Sequence, residues 1–124
     1  MDKQAIEKRA REYLSVEKDP QFRSQIESLL AEGNFEELND RFYTDLDFAT
    51  GGMRGVVGGG YNRMNSYTVQ RATQGLANYI KKAGITNPSV AIAYDSRHFS
   101  DTFALESAKV LTGNGITTYL FTGL

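Results

Sequence analysis

Ser89-Val90-Ala91-Ile92-Ala93-Tyr94 is a short uncharged run between Pro88 and Asp95. A continuous apolar run of this length suits a β-strand buried on both faces of a parallel sheet. Downstream, Ser100 can cap a helix over residues 101–112, with Phe103, Ala104, Ala108 and Leu111 turned inward and Gly113 and Gly115 as breakers. Ile116-Thr117-Thr118-Tyr119-Leu120-Phe121 is the next β-prone run. Strand, helix and strand in that order make a βαβ unit, with a right-handed crossover expected. Upstream, Asn65 is a suitable N-cap, and Val69, Ala72, Leu76, Ile80 and Ala83 recur at spacings of three and four. Lys81 and Lys82 suit the negative end of that helix dipole, and Gly84 stops it. The fold class read from this half is α/β.

The first 42 residues differ in character. They hold seven basic and ten acidic side chains, whereas residues 43–124 hold seven basic and five acidic. Eleven of the twelve glycines follow residue 42. The chain therefore divides near residue 43, into a helical arm (1–42) and an α/β part (43–124). In the arm, Ile6, Ala10, Tyr13 and Leu14 share one helical face, as do Phe22, Ile26, Leu29 and Leu30. Asp19-Pro20 reads as an N-cap with proline at the first helical position, where its missing N–H costs nothing. Gly33 can close that helix in a left-handed conformation. Asn34 and Glu37 match a capping box for a short third helix carrying Phe35, Leu38 and Phe42.

Composition excludes several function classes. The 124 residues carry a net charge of −1, so no basic excess points to nucleic acid. Cysteine is absent, which removes disulfides, thiolate metal sites and a thiol nucleophile, and fits a cytoplasmic setting. A single histidine excludes a multi-His metal site. No run approaches the roughly 20 apolar residues that span a bilayer. Residues 1–11 are too charged for a signal peptide, and the acidic polar face of the arm argues against a membrane-surface helix.

Two stretches carry candidate chemistry. The first is Thr50-Gly51-Gly52-Met53-Arg54-Gly55, followed by Val56-Val57 and Gly58-Gly59-Gly60. Exposed N–H groups beside one Arg make an anion pocket, and Arg grips phosphate with two parallel hydrogen bonds. The pattern has neither the Walker lysine nor the dinucleotide G-x-G-x-x-G spacing. The competing reading is a tight hairpin that needs glycine for its turn alone. The second is Asp95-Ser96-Arg97, directly after the expected strand, where ligands gather in open α/β sheets. Asp95 can orient Arg97 or accept from a backbone N–H; the competing reading is a loop ion pair and a turn. His98 reads as an exposed loop histidine.

Phe48-Ala49-Thr50-Gly51-Gly52-Met53-Arg54-Gly55 resembles the F-G-T-[AS]-G-[LM]-R-G motif of the α-D-phosphohexomutases, the family of phosphoglucomutase and phosphomannomutase. Residues 58–65, ending Asn62-Arg63-Met64-Asn65, resemble its G-x-G-x-N-R-M-N stretch. Tyr94-Asp95-Ser96-Arg97 with Ser100 resembles its Y-D-x-R-x-x-S. The likeness runs over residues 41–124, and the arm is similar to the N-terminal extension of the longer phosphoglucomutase-like branch. Ala49 replaces the usual Gly, a strained exchange if that position needs φ > 0.

The resemblance implies a partial three-layer α/β/α domain I behind the helical arm. It implies reversible transfer between the 1- and 6-positions of a hexose phosphate through a phosphoserine. Arg54 would be the catalytic contact to that phosphoserine or its phosphate. Thr50, Gly51 and Gly52 would shape the phosphate loop, and Asp95 and Arg97 would support the same wall. The family's serine loop, T-A-S-H-N-P, is not found in these 124 residues, nor are its metal, sugar and C-terminal phosphate loops. Mg²⁺ is therefore expected in the complete enzymes, with no ligands in this chain. The expectation is an N-terminal mutase fragment, inactive alone, whose partners are the remaining mutase domains or a second copy at the open sheet edge. The alternative is a stand-alone module for phosphate or phosphosugar binding, or for assembly.

Overall fold

A computed structural model describes residues 2–46, 48–49, 52–53, 56–94 and 100–122. The elements run α1 (Lys3–Val16), α2 (Pro20–Glu32), α3 (Phe35–Phe42), β1 (Phe48–Ala49), β2 (Gly52–Met53), α4 (Ser66–Lys82), β3 (Ser89–Tyr94), α5 (Ser100–Gly113) and β4 (Thr117–Thr122). The α/β class is as expected. By internal contact the chain divides into two compact units, Met1–Thr68 and Val69–Leu124. Residues 43–68 thus lie with the arm in the first unit.

The first unit is built on three capped helices. The Asp2 side chain accepts from the Ala5 N–H at the start of α1. Asp19 caps α2 by accepting from the Gln21 and Phe22 N–H groups, Pro20 fills the first turn, and Gly33 closes the helix at φ +67°. The Asn34 side chain accepts from the Glu37 N–H, the expected half of a capping box. The reciprocal half does not form. The Glu37 carboxylate accepts from Arg41 Nε at 3.0 Å and faces Arg63, and the Asn34 N–H donates to Leu29 O. A charged guanidinium outcompetes a backbone N–H for the carboxylate. The apolar faces meet in one core of Ile6, Ala10, Tyr13, Ile26, Leu38, Phe42 and Tyr61. Tyr13, Phe42 and Tyr61 pack edge to face, with ring centroids 5.4–5.7 Å apart.

The second unit is a βαβ unit with α4 alongside. Strands β3 and β4 pair in parallel, Ser89 opposite Thr117 through Tyr94 opposite Thr122. Ala77, Ile80, Leu111 and Ile116 form its core, with Leu76, Val90 and Ile92 against them. The inward face of α5, Phe103, Ala104, Ala108 and Leu111, is buried as expected. Along α4 the expected face shifts: Thr73 and Ala77 are buried, Ala72 is half-buried, and Ala83 lies beyond the helix end. Gly84 and Gly115 close α4 and α5 at positive φ. The expected burial of β3 on both faces is corrected. Val90 and Ile92 are half-buried, whereas Ala91 and Ala93 are exposed beside the exposed Tyr119 and Phe121. The helices of this unit cover one face of the two-stranded sheet. Among the described residues no helix is long and apolar enough to cross a membrane.

Candidate functional site

Strands β1 and β2 pair antiparallel, Phe48 opposite Met53 and Ala49 opposite Gly52. Of the expected phosphate-loop residues, Gly52 lies in β2. Thr50, Gly51 and Arg54 lie outside the described residues, as do Asp95, Arg97 and His98. Asp95 follows Tyr94, the last residue of β3, in the chain. Ala49 is extended in β1, so its exchange for Gly raises no question of left-handed backbone.

The described residues that flank the hairpin in the chain are held by side chains of the arm. On the upstream side, Arg9 of α1 donates to Phe42 O at 2.7 Å and to Asp45 Oδ1 at 2.6 Å. Its guanidinium lies 4.8 Å from the Tyr61 ring centroid. The Leu46 N–H donates to Tyr61 O at 2.8 Å. On the downstream side, Gln25 Oε1 of α2 accepts from the Gly59 N–H at 2.9 Å and from Arg41 Nη1 at 2.8 Å. Arg41 Nη1 also donates to Gly59 O at 3.2 Å.

Gly59 and Gly60 explain why this turn requires glycine. A Cβ on Gly59 would stand 2.6 Å from Phe22 O. Gly60 has φ +125°, and a Cβ there would stand 2.9 Å from Arg41 O. Both positions let the turn lie directly on arm backbone.

The Asn62-Arg63-Met64-Asn65 stretch serves the same turn. Buried Asn65 donates from Nδ2 to Gly58 O and Gly60 O at 3.0 and 3.1 Å. Its Oδ1 accepts from the Thr68 N–H at 2.9 Å, so it also caps α4, as expected. Arg63 is buried, bonded to Asp40 and 3.7 Å from Glu37. Its charge is engaged within the unit. Met64 pairs with the chain after the hairpin: its N–H donates to Val56 O, and its O accepts from the Gly58 N–H. Gln25, Arg9 and Arg41 join this region through contacts 16 to 36 residues apart in sequence, which nothing local announces.

The buried Tyr13 hydroxyl is bonded to the buried Glu17 carboxylate. Burial, then the bond to Glu17 and its charge, hold the phenol well above its ordinary value of 10.0. A backbone hydrogen bond from Gly60 acts more weakly in the other direction. Among the described residues there is no group of three or more His, Cys, Asp or Glu side chains able to hold a metal ion.

Residues 45–124 match the family model "Phosphoglucomutase/phosphomannomutase, alpha/beta/alpha domain I". A phosphoglucomutase of Staphylococcus haemolyticus is 48% identical over 79 residues, covering 64% of this chain and 14% of the relative. A probable phosphoribomutase of Schizosaccharomyces pombe is 34% identical over 115 residues, covering 89% of this chain and 19% of the relative, a span that reaches into the helical arm. The phosphopentomutase of Homo sapiens is 34% identical over 107 residues, covering 80% and 18%. The chain thus spans less than a fifth of the length of these relatives. No solved structure matches it. On the match of residues 45–124, the chain belongs to the phosphoglucomutase/phosphomannomutase family and carries sequence of its domain I.

Proposed function

We propose that this chain supplies part of the phosphate-handling wall of a phosphohexomutase, acting on a hexose phosphate in which the phosphoryl group moves between the 1- and 6-positions. Arg54 grips the phosphate, Thr50, Gly51 and Gly52 shape the loop that carries it, and Asp95 and Arg97 support the same wall. The observation that carries the reading is the match of residues 45–124 to domain I, a span that contains the motif Thr50-Gly51-Gly52-Met53-Arg54-Gly55. In phosphoryl transfer little covalent work falls to the protein, and fixed cationic donors answer the charge on the transferring group. Arg54 is suited to that task because its fork matches two phosphate oxygens at once. The chain has no serine loop of the family type, so it binds without turnover when alone. Mg²⁺ would neutralise charge on the transferring group in a complete enzyme. No described donor set here fits it, and no step of this chain is routed through it. The cysteine-free sequence goes with a cytoplasmic setting.

Isothermal titration with glucose 1-phosphate tests the reading. Binding by the unaltered chain, and its loss in Arg54→Ala, is the expected result. Equal affinity of the two proteins would overturn it.

The exposed face of β3–β4 favours a second, compatible role in assembly. Tyr119 and Phe121 are more than half exposed, at 54% and 55%. Among the described residues each strand has one unpaired edge, a ready place for another strand of the same domain type. Self-association or recruitment of further mutase structure would cover it. Light scattering of a clean monomer that binds no apolar dye would contradict this role.

A further inference from the structure

Asn114-Gly115 is the one Asn-Gly pair in the sequence, and it forms the turn between α5 and β4. Asparagine before glycine is prone to cyclise, because no Cβ on the following residue shields its backbone nitrogen. Here the side-chain amide is held on both polar atoms. Nδ2 donates to Gln74 Oε1 at 2.8 Å and to Val110 O at 2.7 Å. Oδ1 accepts from Gln74 Nε2 at 3.2 Å and from Lys81 Nζ at 2.6 Å. Three of these four bonds come from α4. The Gly115 N–H, on the nitrogen that would attack, donates to Thr112 O at 3.0 Å. Asn114 is half-buried, which leaves solvent beside the amide.

We propose that Asn114 is a deamidation site that α4 holds closed, with Gln74 and Lys81 as its clamp. The inference does not depend on the phosphate reading. In the step, the Gly115 nitrogen attacks Asn114 Cγ and loses its proton. The Cγ–Nδ2 bond breaks, and Nδ2 leaves as ammonia with that proton. The succinimide so formed takes up one water and opens to aspartate or isoaspartate. No oxidant or reductant enters. The side chain must leave Gln74 and Lys81 before Cγ can approach the Gly115 nitrogen, and the Thr112 bond must open too. Reaction therefore passes through a local opening of the α4–α5 contact. Either product harms the turn. Aspartate loses both Nδ2 donors and sets a carboxylate against the Val110 carbonyl, at the negative end of α5. Isoaspartate adds a methylene to the main chain just ahead of the Ile116 N–H bond to Leu111 O and the Ser89–Thr117 pairing.

The experiment incubates the full chain in warm, mildly alkaline buffer, with and without urea, and follows Asn114 by peptide mass spectrometry. In urea the reaction is expected to run about tenfold faster or more, since the hydrogen bonds no longer hold the amide. Gln74→Ala removes two bonds to the amide, and its rate without urea is expected to rise about three- to tenfold. Gln70→Ala removes a different α4–α5 bond, the one to Glu106, and keeps the rate of the unaltered chain. Should Gln74→Ala fail to fold, Lys81→Met, which removes the contact to Oδ1, is read the same way. Equal rates of the unaltered chain with and without urea overturn the proposal, because the fold then gives no protection. An unchanged rate in folded Gln74→Ala overturns it too. So does an equal rise in Gln70→Ala, since a general loosening of the helix pair would then account for both. No reaction at Asn114 in urea removes the site itself.

Discussion

Tyr13 shows how one buried hydroxyl ties stability to pH. Its proton is held more tightly in the folded chain than in the unfolded one, through burial first and Glu17 second. Below pH 10 both states keep the proton, so stability is unaffected. Above pH 10 the unfolded state releases it first, and stability falls by up to about 1.4 kcal/mol per pH unit. Urea midpoints measured from pH 8 to 11 are expected to drop along that alkaline limb. In Tyr13→Phe the limb flattens, and stability at neutral pH is lower by about 1–3 kcal/mol because a buried Glu17 oxygen loses its donor. An unchanged alkaline slope in the variant would refute this account. Gly59 makes a sharper test of packing. Any Cβ there meets the Phe22 carbonyl, so Gly59→Ala is expected to destabilise by about 1–3 kcal/mol in thermal melts.

At the scale of elements, α4 offers the opposite glycine. Gly75 sits mid-helix on an exposed position, and a Cβ there meets nothing within 4 Å. Gly75→Ala is expected to raise stability by about 0.5–1 kcal/mol in the same melts, through helix propensity alone. Such local signals are also what made elements legible. The Asp19-Pro20 start and Gly33 stop of α2 are written within a few residues, and both stand as read. The β3 limits, Ser89 and Tyr94, follow from one uncharged run. Burial is less legible, because it depends on what lies opposite. Alanine at 91 and 93 fits a covered face and an exposed one equally, and here it is exposed. The Glu37 box half-formed for the same reason: a local pattern met Arg41 and Arg63, and the ion pairs prevailed.

At the scale of the whole molecule, motif order along the chain was enough to reach the family, since domain I is matched from residue 45 onward. The grouping of the arm with the glycine turn was not legible. It depends on Gln25–Gly59 and Arg9–Asp45 contacts 34 and 36 residues apart, which no periodicity announces. The central claim is that the chain holds a phosphate contact without the nucleophile. Phosphorus NMR of glucose 1-phosphate, mixed with the purified chain and Mg²⁺, addresses both halves in one spectrum. The account predicts a shifted or broadened glucose 1-phosphate resonance and no glucose 6-phosphate signal over hours. An unperturbed resonance, or a growing glucose 6-phosphate signal in a preparation free of other mutases, would contradict it.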